Sequence, residues 1–330
     1  MDAYIKNIAY YLPKRIVTND ELAAEFPEWS SDKIFRKVGI RERHIAAEDE
    51  TATDMAEKAA QNLFMAGAKK EDIDFILFCT QSPDYKLPTS ACLLQERLGL
   101  SQKVGALDFD LGCSGYVYGL ALAKGLILGG MAKNVLLLTA ETYNKYIHPS
   151  DKGNRTIFGD GASATLISTI GCGRIGNFAF GTDGKGFSDL IVPNGGARNS
   201  IGTANRLTDK DVAHPDYIFM DGADVFAFTL RQVPDLMHQV MEINNDRLEA
   251  IDKFVFHQAN KYMLDFLKKK MRIPDDKMFY NLEHIGNTVS STIPIALLDA
   301  WNSLDIIPGK KVAIAGFGVG LSWAGTELYF

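Results

Sequence analysis

An internal repeat restricts the fold of this 330-residue chain more than any other feature. IDFILFCTQ, starting at Ile73, lines up with IDKFVFHQA, starting at Ile251. Gly112-Cys113-Ser114 lines up with Gly286-Asn287-Thr288, and VLLLTA from Val135 with VAIAGF from Val312. The matches keep their order at a nearly constant offset of 174 to 178 residues. One βα unit can match by chance, but three in the same order describe a duplicated fold, and we divide it into halves 1–170 and 171–330.

The repeated segments are short apolar runs of strand length, and 104–110 and 162–168 are of the same kind. Amphipathic stretches such as 53–66 and 221–243 separate them, which predicts an α/β architecture with buried strands. LSWAGTELYF, after Gly320, reads as a terminal strand. The stretch 181–205 is rich in Gly, Asn and Asp, and so long a connection is expected to be functional or mobile.

Composition removes several function classes. Hydrophobic residues make up 46% and charged residues 23%, and the mean hydropathy is −0.06, values of a folded, water-soluble protein. Thirty-five Lys and Arg against 41 Asp and Glu leave a charge of −6, so no global positive field attracts nucleic acid. Asp2 and Lys6 interrupt the apolar start that a signal peptide needs, and no apolar run approaches membrane-spanning length, so a cytoplasmic location without membrane insertion is expected. Four cysteines without Cys-x-x-Cys spacing and six scattered histidines indicate neither a disulfide framework nor a metal site.

Three positions invite chemistry. Cys113 lies between a strand and an almost wholly apolar helix that is expected to begin at the cysteine, where the positive end of the helix dipole favours thiolate. It is an activated nucleophile or simply a packed free cysteine. His257 closes the run KFVFH at a strand end, a place that suits either a functional group or a satisfied core histidine. The repeat pairs His257 with Cys79 and Asn287 with Cys113, which aims both halves at one seam where Cys113, His257 and Asn287 meet. Such a set can attack a thioester and stabilise an oxyanion or enolate, while Cys79 reads as a packing residue. GFGVGLSW leaves no room after Gly320 for the helix of a dinucleotide site; it is a plain strand turn or a loop whose backbone N–H groups form an oxyanion hole. In GDGASATL, Gly159 and Gly161 read as structural and Asp160 as a cap or hydrogen-bonding residue.

DLGCSGYVYGL, IFGDGASATL, MDGADVF, VFHQAN, GNTVSSTIP and GFGVGLSWAG, in this order and with GIRERHIA at 39–46, resemble the β-ketoacyl-acyl-carrier-protein synthase III family over nearly the whole chain. The resemblance implies a thiolase-like fold of two pseudo-duplicated halves in a layered α-β-α-β-α core. It implies that Cys113 accepts an acyl group from an acyl thioester, that the N–H groups of Cys113 and Val319 hold the oxyanion, and that His257 and Asn287 assist decarboxylative condensation with a malonyl thioester. No cofactor is implied beyond coenzyme A or carrier-protein thioesters as substrates. A homodimer is implied, with the segment around Leu87 reaching the neighbour's acyl tunnel, and Thr142 and Phe158 affecting tunnel depth. Asn260 is a further substrate contact.

At the donor end the chain departs from the family pattern. Lys33 and Lys37 stand where the family has the tryptophan and arginine that hold adenine, and Lys152 stands for a second arginine; lysine lacks the planar face of arginine. Trp29, Arg36 and Arg155 are the candidates to compensate. Lys268, Lys269, Lys270 and Arg272 follow an apolar stripe of helical spacing and form a solvated face or a docking site. By resemblance, Lys269 and Lys270 dock acidic acyl-carrier protein, with Tyr262 and Ala227 in places the family often makes basic. The alternatives to condensation are acyl transfer from Cys113 to an amine or hydroxyl, with His257 as general base, and a non-catalytic carrier-binding paralogue.

Overall fold

The computed structural model describes residues 2–204 and 210–330. The first half contains β1 (Tyr4–Tyr11), β2 (Arg15–Thr18), α1 (Asn19–Glu25), α2 (Ser31–Val38), β3 (Glu42–Ile45), α3 (Ala52–Met65), β4 (Phe75–Cys79), α4 (Ser90–Arg97), β5 (Gly105–Phe109), α5 (Gly115–Leu128), β6 (Asn134–Glu141), α6 (Lys152–Arg155) and β7 (Gly161–Ser168). The second contains β8 (Gly173–Thr182), β9 (Leu190–Ile191), β10 (Phe219–Met220), α7 (Gly222–Ile243), β11 (Lys253–Phe256), α8 (Lys261–Lys270), α9 (Thr292–Asn302), β12 (Lys311–Gly318) and β13 (Ser322–Tyr329).

Nine strands form one sheet in the order β11-β12-β13-β8-β1-β7-β6-β4-β5. Outward from its centre, one side runs β1, β7, β6, β4, β5 and the other β8, β13, β12, β11. Beyond β11 only a single parallel bridge, Phe254 with Met278, stands where β5 stands on the first side. The sides therefore share one connectivity, and join through the antiparallel pairs Tyr4–Arg174 and Ile5–Gly173. β4 runs parallel to β5 and β6, and β11 parallel to β12; parallel neighbours need crossovers, which the helices supply.

α5 and α9 pack between the two sides of the sheet, α3 covers the outer face of the first and α7 that of the second. Buried between the two sides of the sheet, α5 has to be apolar nearly all round: Tyr116, Val117, Leu120 and Ile127 share one core with Leu137 of β6 and Val255 of β11. The outer α3 is amphipathic and starts with a capping box, Thr51 accepting from Asp54 N–H and Asp54 from Thr51 N–H.

Two boundaries differ from the sequence reading. The expected 181–205 connection begins inside β8, because Gly181 and Thr182 pair with Trp323 and Ser322 of β13; β9 lies within it, and its last residue, Asn205, is outside the described residues. The helix expected to begin at Cys113 begins at Gly115, with Ser114 as its N-cap.

The halves also meet away from the sheet. Asn287 N–H donates to the Ile157 carbonyl (2.9 Å) and Gly159 N–H to the Asn287 carbonyl (3.0 Å). Gly286 turns the chain there with φ of 80°, and a Cβ on it would lie 2.9 Å from Arg43 Cβ and 3.3 Å from Gly159 N. Fully buried Arg43 donates to Asn19 Oδ1 (2.8 Å) and to the carbonyls of Thr156 (3.0 Å) and Val17 (3.1 Å), so this wall is rigid. Gly286→Ala should combine left-handed strain with a clash and destabilise the fold by about 1–3 kcal/mol. Urea unfolding of the variant checks this, and an unchanged midpoint would contradict it.

Candidate active site

Cys113 sits in the turn between β5 and α5, and the Ser114 hydroxyl is 2.6 Å from that of Ser322 on β13, so the turn is pinned by the other half of the molecule. His257 is the residue after β11 and keeps strand register, its N–H donating to the Ala315 carbonyl of β12 (2.8 Å). Asn287 lies in the loop before α9. Cys113, His257 and Asn287 are all buried and line one cavity of about 130 Å³, together with Phe158, Asn260 and Gly318. Phe158 and Asn260, both expected at the substrate, thus line the same cavity as Cys113. Asn260 also caps α8, its Oδ1 accepting from Met263 N–H (2.8 Å).

The 316–320 loop presses on the cysteine. A Cβ on Gly318 would lie 2.8 Å from Cys113 Sγ, and one on Gly316 2.7 Å from the Cys113 carbonyl oxygen. Only glycine allows this approach, and it brings the Val319 N–H to the sulfur, where it donates.

Burial dominates the surroundings of the Cys113 thiol. It pushes the Cys113 thiol up to about 12, with the Glu141 carboxyl adding to the rise, while the N–H groups of Val319 and Cys113 pull the other way. The helix end expected to favour thiolate is displaced, because α5 starts at Gly115, two residues after Cys113, and burial disfavours the charged form. Burial likewise brings His257 down to about 3, against the opposing pull of the Val289 carbonyl, so its ring is neutral. His257 Nδ1 is 2.7 Å from the Thr292 hydroxyl, and its ring packs edge-on against Phe317. Asn287 Oδ1 accepts from Val289 N–H (2.9 Å), which fixes the amide and leaves its NH₂ group as the free donor.

A second cavity, about 490 Å³, shares Ile157, Met220 and Gly222 with the first, which joins the two linings. Trp29 is its aromatic wall. The ammonium of Lys37 lies 4.6 Å from the Trp29 ring centre, and those of Lys33 and Lys152 each 5.8 Å. The three lysines expected at the donor end are therefore gathered round one ring, each within cation–π range. Arg155 pairs with Glu25 and Arg36 donates to the Asp32 carbonyl, so of the three candidates to compensate only Trp29 faces this cavity.

Other expected residues lie elsewhere. Leu87 is 82% exposed and lines neither cavity. Lys269 and Lys270 are exposed on α8, and Lys270 Nζ donates to the Leu230 carbonyl (2.6 Å). Cys79 is buried and donates to the Leu111 carbonyl (2.9 Å), and Asp160 accepts from Ala46 N–H and from Asn144, a hydrogen-bonding residue as expected. Thr142 points its N–H at Ser82; its neighbour Tyr143 is the residue beside the nucleophile, its hydroxyl donating to Gln81 Oε1 (2.5 Å) next to Gly112.

Sequence reasoning passed over Tyr143, Gln81 and Glu141. The Glu141 carboxyl accepts from Gln81 N–H and from the hydroxyls of Ser82 and Ser290, and burial raises it to about 8. The one signal in the sequence was position: Glu141 ends the apolar strand β6, where a buried acid is costly without partners.

Two family models match, the 3-oxoacyl-[acyl-carrier-protein] synthase III model over residues 107–184 and its C-terminal model over 241–330. The β-ketoacyl-[acyl-carrier-protein] synthase III of Caldanaerobacter subterraneus subsp. tengcongensis is 35% identical over 321 residues, covering 96% of this chain and 95% of that protein. A crystal structure of a 3-oxoacyl-(acyl-carrier-protein) synthase III superposes with a TM-score of 0.96 at 49% identity over the whole of both chains. The priming β-ketosynthase of the R1128 polyketide pathway superposes with a TM-score of 0.88 at 25% identity, covering 99% of this chain and 96% of that one. With this fold and these matches along its length, the chain belongs to the 3-oxoacyl-[acyl-carrier-protein] synthase III family of condensing acyltransferases.

Proposed function

We propose that Cys113, His257 and Asn287 carry out a two-step condensation of an acyl thioester with a malonyl thioester. The observation that carries the assignment is that these three residues, from separate loops of the two halves, line one small cavity. The family supports the reaction class, since its members are named for 3-oxoacyl-carrier-protein synthesis.

In the first step Cys113 sulfur adds to the donor carbonyl, the donor C–S bond breaks, and the thiol proton leaves on the departing thiolate. The N–H groups of Cys113 and Val319 hold the oxyanion, which offsets the cost of forming charge at a buried sulfur. In the second step the malonyl thioester oxygen accepts from the His257 ring and the Asn287 amide. The bond to the carboxylate breaks, carbon dioxide leaves, and the electron pair forms an enolate held by these two donors. Its carbon attacks the acyl-enzyme; the C–S bond to Cys113 breaks and the sulfur takes a proton from solvent. A neutral His257 suits a donor role, and no metal or organic cofactor takes part.

The halves 1–170 and 171–330 supply the nucleophile and the two donors respectively. Trp29 with Lys33, Lys37 and Lys152 receives the charged, aromatic end of a coenzyme A donor. We assign a homodimer in which the exposed segment around Leu87 reaches the neighbour's acyl tunnel, and a cytoplasmic location; no helix among the described residues is long and apolar enough to cross a membrane. Lys269 and Lys270 serve as a weak basic site for acidic acyl-carrier protein.

Incubation with acyl thioesters of graded chain length should give a single mass adduct on Cys113. An unmodified Cys113 with every donor would remove the first step. Asn287→Ala removes one enolate donor and leaves the nucleophile in place, so acylation should persist while carbon dioxide release falls by about 10²–10³; equal loss of both contradicts the assignment. Lys269→Glu with Lys270→Glu should raise KM for malonyl-carrier protein in a salt-dependent way and leave malonyl-CoA nearly unchanged. The same effect on both substrates, or on neither, returns these lysines to a solvated face.

A further inference from the structure

A third cavity, about 740 Å³, has no part in the steps above. Leu190 lines both it and the small cavity, and Val319, whose N–H reaches the Cys113 sulfur, forms part of its wall. The wall is polar where it comes nearest the nucleophile. A Cβ on Gly112, the residue before Cys113, would lie 2.6 Å from Gln81 Oε1 and 3.3 Å from the Tyr143 hydroxyl, and both of these side chains line the third cavity. Their hydrogen bonds run in one direction: the Tyr143 hydroxyl donates to Gln81 Oε1 (2.5 Å), and Gln81 Nε2 donates to Asp110 Oδ1 (2.8 Å). The tyrosine has thereby committed its proton and keeps oxygen lone pairs, and the chain ends on a carboxylate. Further along, the Asp216 carboxylate accepts from Asn194 Nδ2 (2.7 Å) and Gly202 N–H (2.9 Å). Asn194 is 5% exposed, and its Oδ1 has no hydrogen-bond partner among the described residues. Lys145, also in the wall, turns its Nζ to the Glu48 carbonyl (2.9 Å). Acceptors and negative charge therefore predominate in the part of this cavity beside Cys113.

We propose that Tyr143, Gln81 and Asp110 select an acyl group that carries a hydrogen-bond donor, a hydroxyl or an amine, and seat that donor in the third cavity. A plain alkyl chain would cover the Tyr143 oxygen and the Asp110 carboxylate without replacing their bonds to water, so it loses what a donor-bearing chain gains. An acyl group ending in a carboxylate would bring a like charge to Asp110 and is disfavoured further. The place of this selection in the reaction rests on the condensation reading above; the choice of ligand is a matter of binding alone.

The test compares butyryl-CoA, ω-hydroxypropionyl-CoA and β-alanyl-CoA, whose acyl groups have the same number of heavy atoms and differ only in whether the last is a methyl, a hydroxyl or an ammonium. Succinyl-CoA supplies the carboxylate. Binding is measured by calorimetry on full-length Cys113→Ala, and acylation by intact mass on the unmodified protein. The hydroxyl or the ammonium form should bind, and acylate Cys113, about tenfold better than butyryl-CoA, with succinyl-CoA the poorest. Asp110→Asn, on an exposed residue, tells the two donors apart: it should remove a lead held by the ammonium and keep one held by the hydroxyl. Gln81→Leu with Tyr143→Phe should bring the hydroxyl form and butyryl-CoA to within about twofold of each other. Equal binding of the three matched thioesters, or tighter binding of butyryl-CoA or succinyl-CoA, overturns the proposal even where the double variant fails to fold, and so does an unchanged lead in a folded double variant. Binding needs no transfer, so failure of every thioester to acylate Cys113 would overturn the condensation reading and leave this one standing.

Discussion

Two main-chain hydrogen bonds, from Asn287 to Ile157 and from Gly159 to Asn287, hold the active site together. They cross between the halves at the point where Gly286 and Gly159 lie close enough to exclude a side chain, against the buried stem of Arg43. The sheet alone would only bring strand ends to the same side of the molecule. This contact converts that rough alignment into fixed positions, because Asn287 is in the bonded segment itself and Thr292 starts the helix a few residues later. The glycine loop at 316–320 does the same for Cys113 from another direction. Both contacts set glycine backbone tightly against its neighbours, which tolerates little displacement.

Low dielectric is the second organising influence. It disfavours charge on Cys113 and His257 alike, which leaves directed hydrogen bonds, rather than standing ions, as the means this cavity offers. In such surroundings each oriented N–H, at Val319, Cys113 or Asn287, counts for more than it would in water. The buried Glu141 fits the same pattern, a carboxyl raised towards neutrality whose donors tie the end of β6 to the loops bearing Gln81 and Ser290.

Much of this was legible in the sequence because it is periodic. The repeat carries over to strand order, and pairing His257 with Cys79 and Asn287 with Cys113 places four side chains at equivalent ends of equivalent elements. The missing parts depend on contacts remote in sequence. β8 looked like the start of a loop since its Gly-rich end is a strand only through β13, more than a hundred residues away. Dipole reasoning at Cys113 failed because local sequence says where a helix begins only to within a residue or two, and says nothing of how deeply its start is buried. The grouping of Lys33, Lys37 and Lys152 about Trp29 joins two segments over a hundred residues apart, and Tyr143 differs from Thr142 only in which way one strand end turns.

The position of β13 has a consequence for how the protein is made. It is the last strand in chain order, yet it lies inside the sheet between β12 and β8, and the Ser114 hydroxyl beside the nucleophile meets a serine on it. During synthesis β8 therefore waits, one edge unpaired, while some 140 residues are added; β1 waits in the same way for β7. Long-range pairing of this kind slows folding and leaves strand edges open to other chains in the interval. A nascent chain of this fold can complete the sheet that carries both halves of its cavity only once β13 has been made.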